Sequence, residues 1–160
     1  MKWLETTGGP FVLMARDDVP HWTGHKDDYW NLIELEDVTS VIEFGPEDRR
    51  RSAFVLADEP LRTTWLPEYQ TFLQWRYAES EAALLEMVRS RFADAEWADG
   101  PSLELAGPAV LFDAATPGED LNPDDKIEIR LDRGTYRLCT ADLEPGRGAA
   151  ARLHRLVLQR

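Results

Sequence analysis

Between residues 102 and 158 the apolar side chains come in five strand-length runs: SLELA (102–106), AVLFDA (109–114), KIEIRLD (126–132), TYRLCTA (135–141) and ARLHRLVL (151–158). No other feature constrains the fold as strongly. Successive side chains of a strand point to opposite faces, so each run can bury one face against a core. In KIEIRLD the residues Ile127, Ile129 and Leu131 share a face and the charged residues take the other. In TYRLCTA, Tyr136 and Leu138 share one. ARLHRLVL fits two registers, one grouping Leu153, Arg155 and Val157, the other His154, Leu156 and Leu158. Gly107-Pro108 and Asp132-Arg133-Gly134 supply turns between runs.

The first half reads similarly but contains one helix. PFVLMA (10–15) is a short apolar run suited to a buried strand, and the polar stretch 17–28, with Pro20 and Gly24, reads as a loop. YWNLIEL (29–35) fits a strand or a helical turn. TSVIEF (39–44) and SAFVLA (52–57), separated by Gly45-Pro46 and a charged loop, read as a hairpin. The stretch 58–69 carries two prolines and reads as a connection. TFLQWRYA (71–78) alternates as a half-buried strand. SEAALLEMVRSRF (80–92) is the clearest helix. Ser80 is placed to cap its N-terminus, Glu81 and Arg89 with Arg91 complement the two ends of its dipole, and Leu84, Leu85, Val88 and Phe92 fall on one face. The expected fold is therefore α+β: mostly antiparallel β-sheet with one main amphipathic helix, about residues 80–93, packed on it as a single domain spanning 1–160.

Charge narrows the partners. The chain has 160 residues with 30 acidic and 18 basic side chains, a formal net charge of −12. Such a surface repels phosphate backbones and speeds encounter with basic proteins, so nucleic acid is not expected as a partner. The imbalance is local. Residues 113–128 hold Asp113, Glu119, Asp120, Asp124, Asp125 and Glu128 against Lys126 alone, whereas Arg147, Arg152, Arg155 and Arg160 end the chain without an acid, and Arg49, Arg50 and Arg51 form a second basic spot. No run of about 18 uncharged apolar residues is present, so no membrane span is expected. The opening residues lack a signal-peptide pattern, and the lone Cys139 suits a reducing compartment; a cytoplasmic location is expected.

Motif chemistry is sparse. The glycines of TTGGP (6–10) lead into Pro10 and FVLM with no Lys or hydroxyl pair behind them, so they make a turn and not a phosphate loop. His21 and His25 have a helical metal-ligand spacing, but Pro20, Thr23 and Gly24 oppose the helix that spacing needs. DLNPDD (120–125) sets Asp120, Asn122 and Asp124 at alternate positions as in a calcium loop, yet Asp125 stands where Gly is needed and Leu131 where Glu is needed. Cys139 sits in an apolar run, His154 is the only histidine among the C-terminal strands, and no G-x-S-x-G occurs. No cofactor or metal is expected, and no catalytic set stands out. Of the six tryptophans, Trp3 and Trp75 read as core, while Trp22, Trp30, Trp65 and Trp97 lie at loop or element ends, where a ring can serve packing or a partner.

Taken in order, KWLETTGGPFVLM, HWTG, VLADEPLRTTWLPE, LQWRYAESEAALL, LFDAATPGEDL and GTYRLCTA resemble the immunity protein 21 family of bacterial polymorphic toxin systems. The Trp-x-x-x-x-Gly-Gly-Pro block at the start and the block from Asp58-Glu59-Pro60 to Pro67 are the most specific pieces. Thr6-Thr7 stand where two serines are the pattern, and DDYWNLIELE matches least. The resemblance implies a cytoplasmic protein that binds and neutralises a cognate toxin made by the same cell or its kin. It carries over no catalytic residues and does not fix the toxin's chemistry. A toxin with a basic surface, as in a nuclease groove, would meet carboxylates here. The candidate toxin-binding residues are Asp113, Glu119, Asp120, Asp124 and Asp125, joined by Trp22 and Trp65. The competing classes are a small enzyme with a carboxylate-based site and a non-inhibitory protein-binding adaptor. A deep pocket of perturbed titratable groups would favour the first, a broad acidic face with aromatic anchors a protein partner.

Overall fold

A computed structural model describes residues 1–6, 8–57, 61–146 and 148–160. Thr7, the Asp58-Glu59-Pro60 part of the family-like block and Arg147 of the basic C-terminal run lie outside the described residues.

The alternating runs become two five-stranded antiparallel sheets. Sheet I contains β1 (Phe11–Ala15), β2 (Thr39–Phe44), β3 (Arg51–Leu56), β7 (Ala109–Asp113) and β8 (Lys126–Ile129), ordered β2-β3-β1-β7-β8. Sheet II contains β4 (Thr63–Leu66), β5 (Thr71–Ala78), β6 (Ser102–Leu105), β9 (Gly134–Leu143) and β10 (Ala149–Gln159), ordered β4-β5-β10-β9-β6. The expected hairpin is present, with Phe44 paired to Arg51 and Thr39 to Leu56. The sheets stack face to face. Phe11, Leu13, Phe54 and Leu111 of sheet I share one core with Phe72, Tyr136, Leu138 and Leu156 of sheet II. Burial of each such side chain stabilises the fold by roughly 1.5–3 kcal/mol.

Both sheets also bury their outer faces. Over sheet II lies α1 (Glu81–Arg91). Its first turn is capped by Ser80, whose hydroxyl accepts from the Ala83 amide at 3.1 Å, and it sets Leu84 and Val88 against Leu73, Ala151 and Leu153. The α+β expectation, with a main helix packed on antiparallel sheet, is met. Over the outer face of sheet I lies a chain of short 3-10 turns, Arg16–His21, Gly24–Lys26 and Asp28–Leu32, whose Val19, Trp22 and Leu32 pack on Val12, Met14, Val55, Val110 and Phe112.

Three expectations need correction. The stretch 58–69 is not merely a connection: β-branched Thr63 and Thr64 with Trp65 form edge strand β4, Pro67 falls beyond its end, and Leu4 bridges Thr63 from the other side. Residues 17–28, expected as loop, are mostly 3-10 turn because Val19 and Trp22 bury themselves on sheet I. And β5 is buried on both faces over its first half, since α1 covers one side and sheet I the other, so Gln74 is interior.

The open register of the last run resolves with it. Leu153 joins the core under α1 and Leu156 the core between the sheets. His154, fully buried, bonds Thr140 Oγ1 through Nδ1 at 2.8 Å and Gln74 Oε1 through Nε2 at 3.0 Å. Gln74 in turn donates to Thr63 Oγ1 at 3.3 Å. This file of polar groups crosses four strands and satisfies itself. Burial, with Arg152 nearby, depresses the imidazole pKa to about 3 and keeps the ring neutral.

Candidate functional site

The acidic segment after β7 is built by local turns. The Asp113 carboxylate accepts from the Ala115 amide at 2.9 Å through Oδ1 and from the Thr6 hydroxyl through Oδ2, so it fastens Thr6 to the end of β7. Asp113 is half-buried and has a structural task. Two 3-10 turns follow, Gly118–Asp120 and Pro123–Asp125. They leave Glu119, Asp120, Asp124 and Asp125 exposed. Asn122 donates to Asp125 Oδ2 at 3.2 Å, and the Lys2 ammonium donates to the Pro123 carbonyl. Lys26 binds Glu119 at 2.9 Å, which holds the Glu119 carboxyl below the usual range and the Lys26 ammonium above it. Among the described residues, no three His, Cys, Asp or Glu side chains are grouped to hold a metal ion.

This acidic loop is locked to the 3-10 turns over sheet I. The His25 amide donates to Ala115 O at 2.8 Å and the Gly118 amide to Trp22 O at 2.9 Å. A Cβ on Gly118 would lie 1.6 Å from Val19 O, and one on Gly24 would lie 2.4 Å from Pro117 N, so only glycine permits this approach. The two segments form one surface.

Of the two candidate tryptophans, Trp22 is a correction. It is 1% exposed, its ring stands edge-on to Phe44 at 5.0 Å and its Nε1 donates to Ala114 O at 2.8 Å. It seats the turns on sheet I and presents nothing to a partner. Trp65 is half-buried on β4, its ring 4.6 Å from Phe72 at the margin of the inter-sheet core.

The aromatic that does stand out is Trp30, 56% exposed, beside Ile33 at 63%. Its Nε1 donates to His25 O at 2.7 Å, and its ring packs edge-on to Tyr29 at 5.2 Å. A period of three separates the two roles in this stretch. Tyr29, Leu32 and Leu35 lie three apart and pack toward sheet I, whereas Trp30 and Ile33, also three apart, face out. That spacing was present in YWNLIEL, and of its two readings, strand or helical turn, the structure takes the helical turn as the 3-10 turn Asp28–Leu32.

A broader concavity lies elsewhere. A cleft of about 830 Å³ opens between edge strand β2 and the inner face of β9 and β10, rimmed by Asp37, Glu96, Asp99 and Asp142. At its base Arg152 grips Asp142 with two bonds, Nε at 2.8 Å and Nη2 at 3.1 Å, and Arg76 approaches the same carboxylate at 3.8 Å. Burial raises the Asp142 carboxyl against the pull of Arg76. Next to the cleft, burial and then Asp99, 3.6 Å from Sγ, push the Cys139 thiol up and favour its protonated form. His154 is neutral. Asp142 is thus held by Arg152 and Arg76, and both ring nitrogens of His154 are engaged.

No helix among the described residues is long and apolar enough to cross a membrane. No curated protein and no solved structure matches the chain. The family model for immunity protein 21 matches residues 2–149, from the N-terminal tryptophan block to the first residue of β10. With more than nine-tenths of its length inside that match, the chain belongs to the immunity protein 21 family.

Proposed function

We propose that this protein is a cytoplasmic immunity protein that binds a cognate bacterial toxin domain through its acidic surface and neutralises it by covering the active site or an adjoining exosite. It acts by binding and not by turnover. The observation that carries the reading is the outward set of carboxylates Asp120, Asp124 and Asp125 on a locked loop, in a family member with net charge −12. A toxin with a basic substrate groove, such as a nuclease, meets carboxylates where phosphates would lie. Long-range attraction then speeds capture, and a few desolvated contacts set the lifetime of the complex. Glu119, in the same loop and bridged to Lys26, and Trp65, half-buried on β4, complete the proposed contact set.

The test pairs growth rescue with kinetics. The toxin domain encoded beside the gene is expressed with and without this protein, and the purified pair is measured at two salt concentrations. Rescue with salt-sensitive association is expected. Charge reversal at Asp120, Asp124 and Asp125 should slow association by about tenfold at low salt and flatten its salt dependence. Unchanged kinetics in that variant would remove the loop from the interface.

A further inference from the structure

We infer that Trp30 and Ile33 are the apolar anchor of this interface, and that the surface they fit is a basic protein face with an apolar recess for the indole ring. The inference rests on the immunity reading above and places its short-range contacts. Four observations carry it. The two side chains are large, apolar and more than half exposed on an otherwise well-packed cover. The indole is held by its bond to His25 O and by Tyr29, so little side-chain freedom remains to be lost on docking. A small recess of about 180 Å³, lined by Pro10, Tyr29, Leu32, Ile33, Leu35 and Ala57, lies beside the knob, so that partner side chains can interdigitate with it.

Charge selects the occupant. Every charged residue from Asp27 to Asp37 is acidic, and Asp27, Glu34, Glu36 and Asp37 are exposed and flank the pair along the chain. The Lys26–Glu119 bridge joins this stretch to the acidic loop. An anionic membrane or a nucleic acid would be repelled from an apolar patch so flanked, whereas a cationic protein surface is drawn to it. Aromatic rings in such settings commonly dominate binding energy, while the surrounding charges govern the rate of encounter.

The experiment uses the full chain and the toxin domain encoded beside it, with Trp30→Ala, Ile33→Ser and the Asp120, Asp124, Asp125 reversal measured in parallel. Trp30→Ala should raise the dissociation rate by at least about tenfold while leaving the association rate within about twofold. Ile33→Ser should have the same direction and a smaller size. The charge reversal should act on association. A Trp30→Ala protein that dissociates like wild type, while the charge variant associates slowly, overturns the anchor and leaves the immunity reading standing. Wild-type protein that neither rescues growth nor binds overturns both. Amide exchange of residues 28–34 in the wild-type complex gives an answer that does not depend on folding of the variants: protection on binding is expected, and its absence overturns the anchor.

Discussion

Helix α1 and the 3-10 turns over sheet I solve the same problem on opposite sides of the molecule, by different means. The helix satisfies most of its backbone internally, takes one cap from Ser80 and is seated by Leu84 and Val88, with Leu85 and Met87 partly buried beside them. The turns close short backbone bonds of their own, among them Trp22 N to Val19 O at 3.1 Å and Asp27 N to Gly24 O at 3.2 Å. They depend on segments far away in sequence: Trp22 on the Ala114 carbonyl, His25 on Ala115 and Gly118 on Trp22. A regular cover is stable through repetition, and an irregular one through specific long-range contacts. The irregular one is also free to project side chains such as Trp30 wherever its turns aim them.

Trp22→Ala should expose this dependence most strongly. Loss of a fully buried indole and its hydrogen bond should lower stability by about 3–5 kcal/mol in chemical denaturation. The loss should appear first as faster amide exchange over residues 19–26 and 114–118, with the helix amides unaffected. A uniform rise in exchange would mean that the turns are no separate unit and would break the comparison.

Acid tests what the two covers share. His154 has its folded pKa lowered to about 3, so below an unfolded value near 6.5 the unfolded chain binds a proton that the folded chain refuses. The stability it contributes is fully present above that value and is lost as pH falls toward 3, by about 2 kcal/mol between pH 8 and pH 5. His154→Gln should flatten that profile. Because His154 sits in sheet II and faces the inter-sheet core, both covers should loosen together; an acid response confined to one of them would show that the sandwich does not support both.

Ser80→Ala is the smallest expected effect, about 1 kcal/mol, confined to the first turn of α1 and read by denaturation and exchange of the Ala83 amide. A much larger loss would mean that the helix depends on single contacts as the turns do.

The same contrast explains what could be read from the chain alone. Strands with period-two alternation or a short apolar run, and a helix with a cap, a dipole pattern and an apolar stripe, carry their structure in local sequence, and nine of the ten strands among the described residues fall on runs that read that way. β4 escaped because its four residues lie in a proline-bearing stretch, and its pairing with Leu4 and β5 is non-local. The 3-10 turns Arg16–His21 and Gly24–Lys26 escaped because a period of three over a few residues is too brief to stand out, and because Gly24 and Gly118 have meaning only once residues 115–117 and Val19 are brought against them, whereas Asp28–Leu32 was legible in part as a helical turn. For the binding surface, the exposed acids 119–125 were legible as charge. Asp113 and Trp22 were not legible as internal, since a residue beside a turn can point either way until the layer beneath it is known.

The place of β10 has a consequence in time. It lies at the centre of sheet II, between β5 and β9, although it is the last strand in the chain. During synthesis β5 emerges some eighty residues ahead of its central partner, a wait of roughly several seconds at ordinary elongation rates. Until β10 arrives, the facing backbone edges of β5 and β9 have nothing to pair with, and the layer under α1 cannot close. A nascent chain of this protein therefore completes sheet II late, and an interruption of translation between residues 143 and 149 leaves two open strand edges for chaperones to shield.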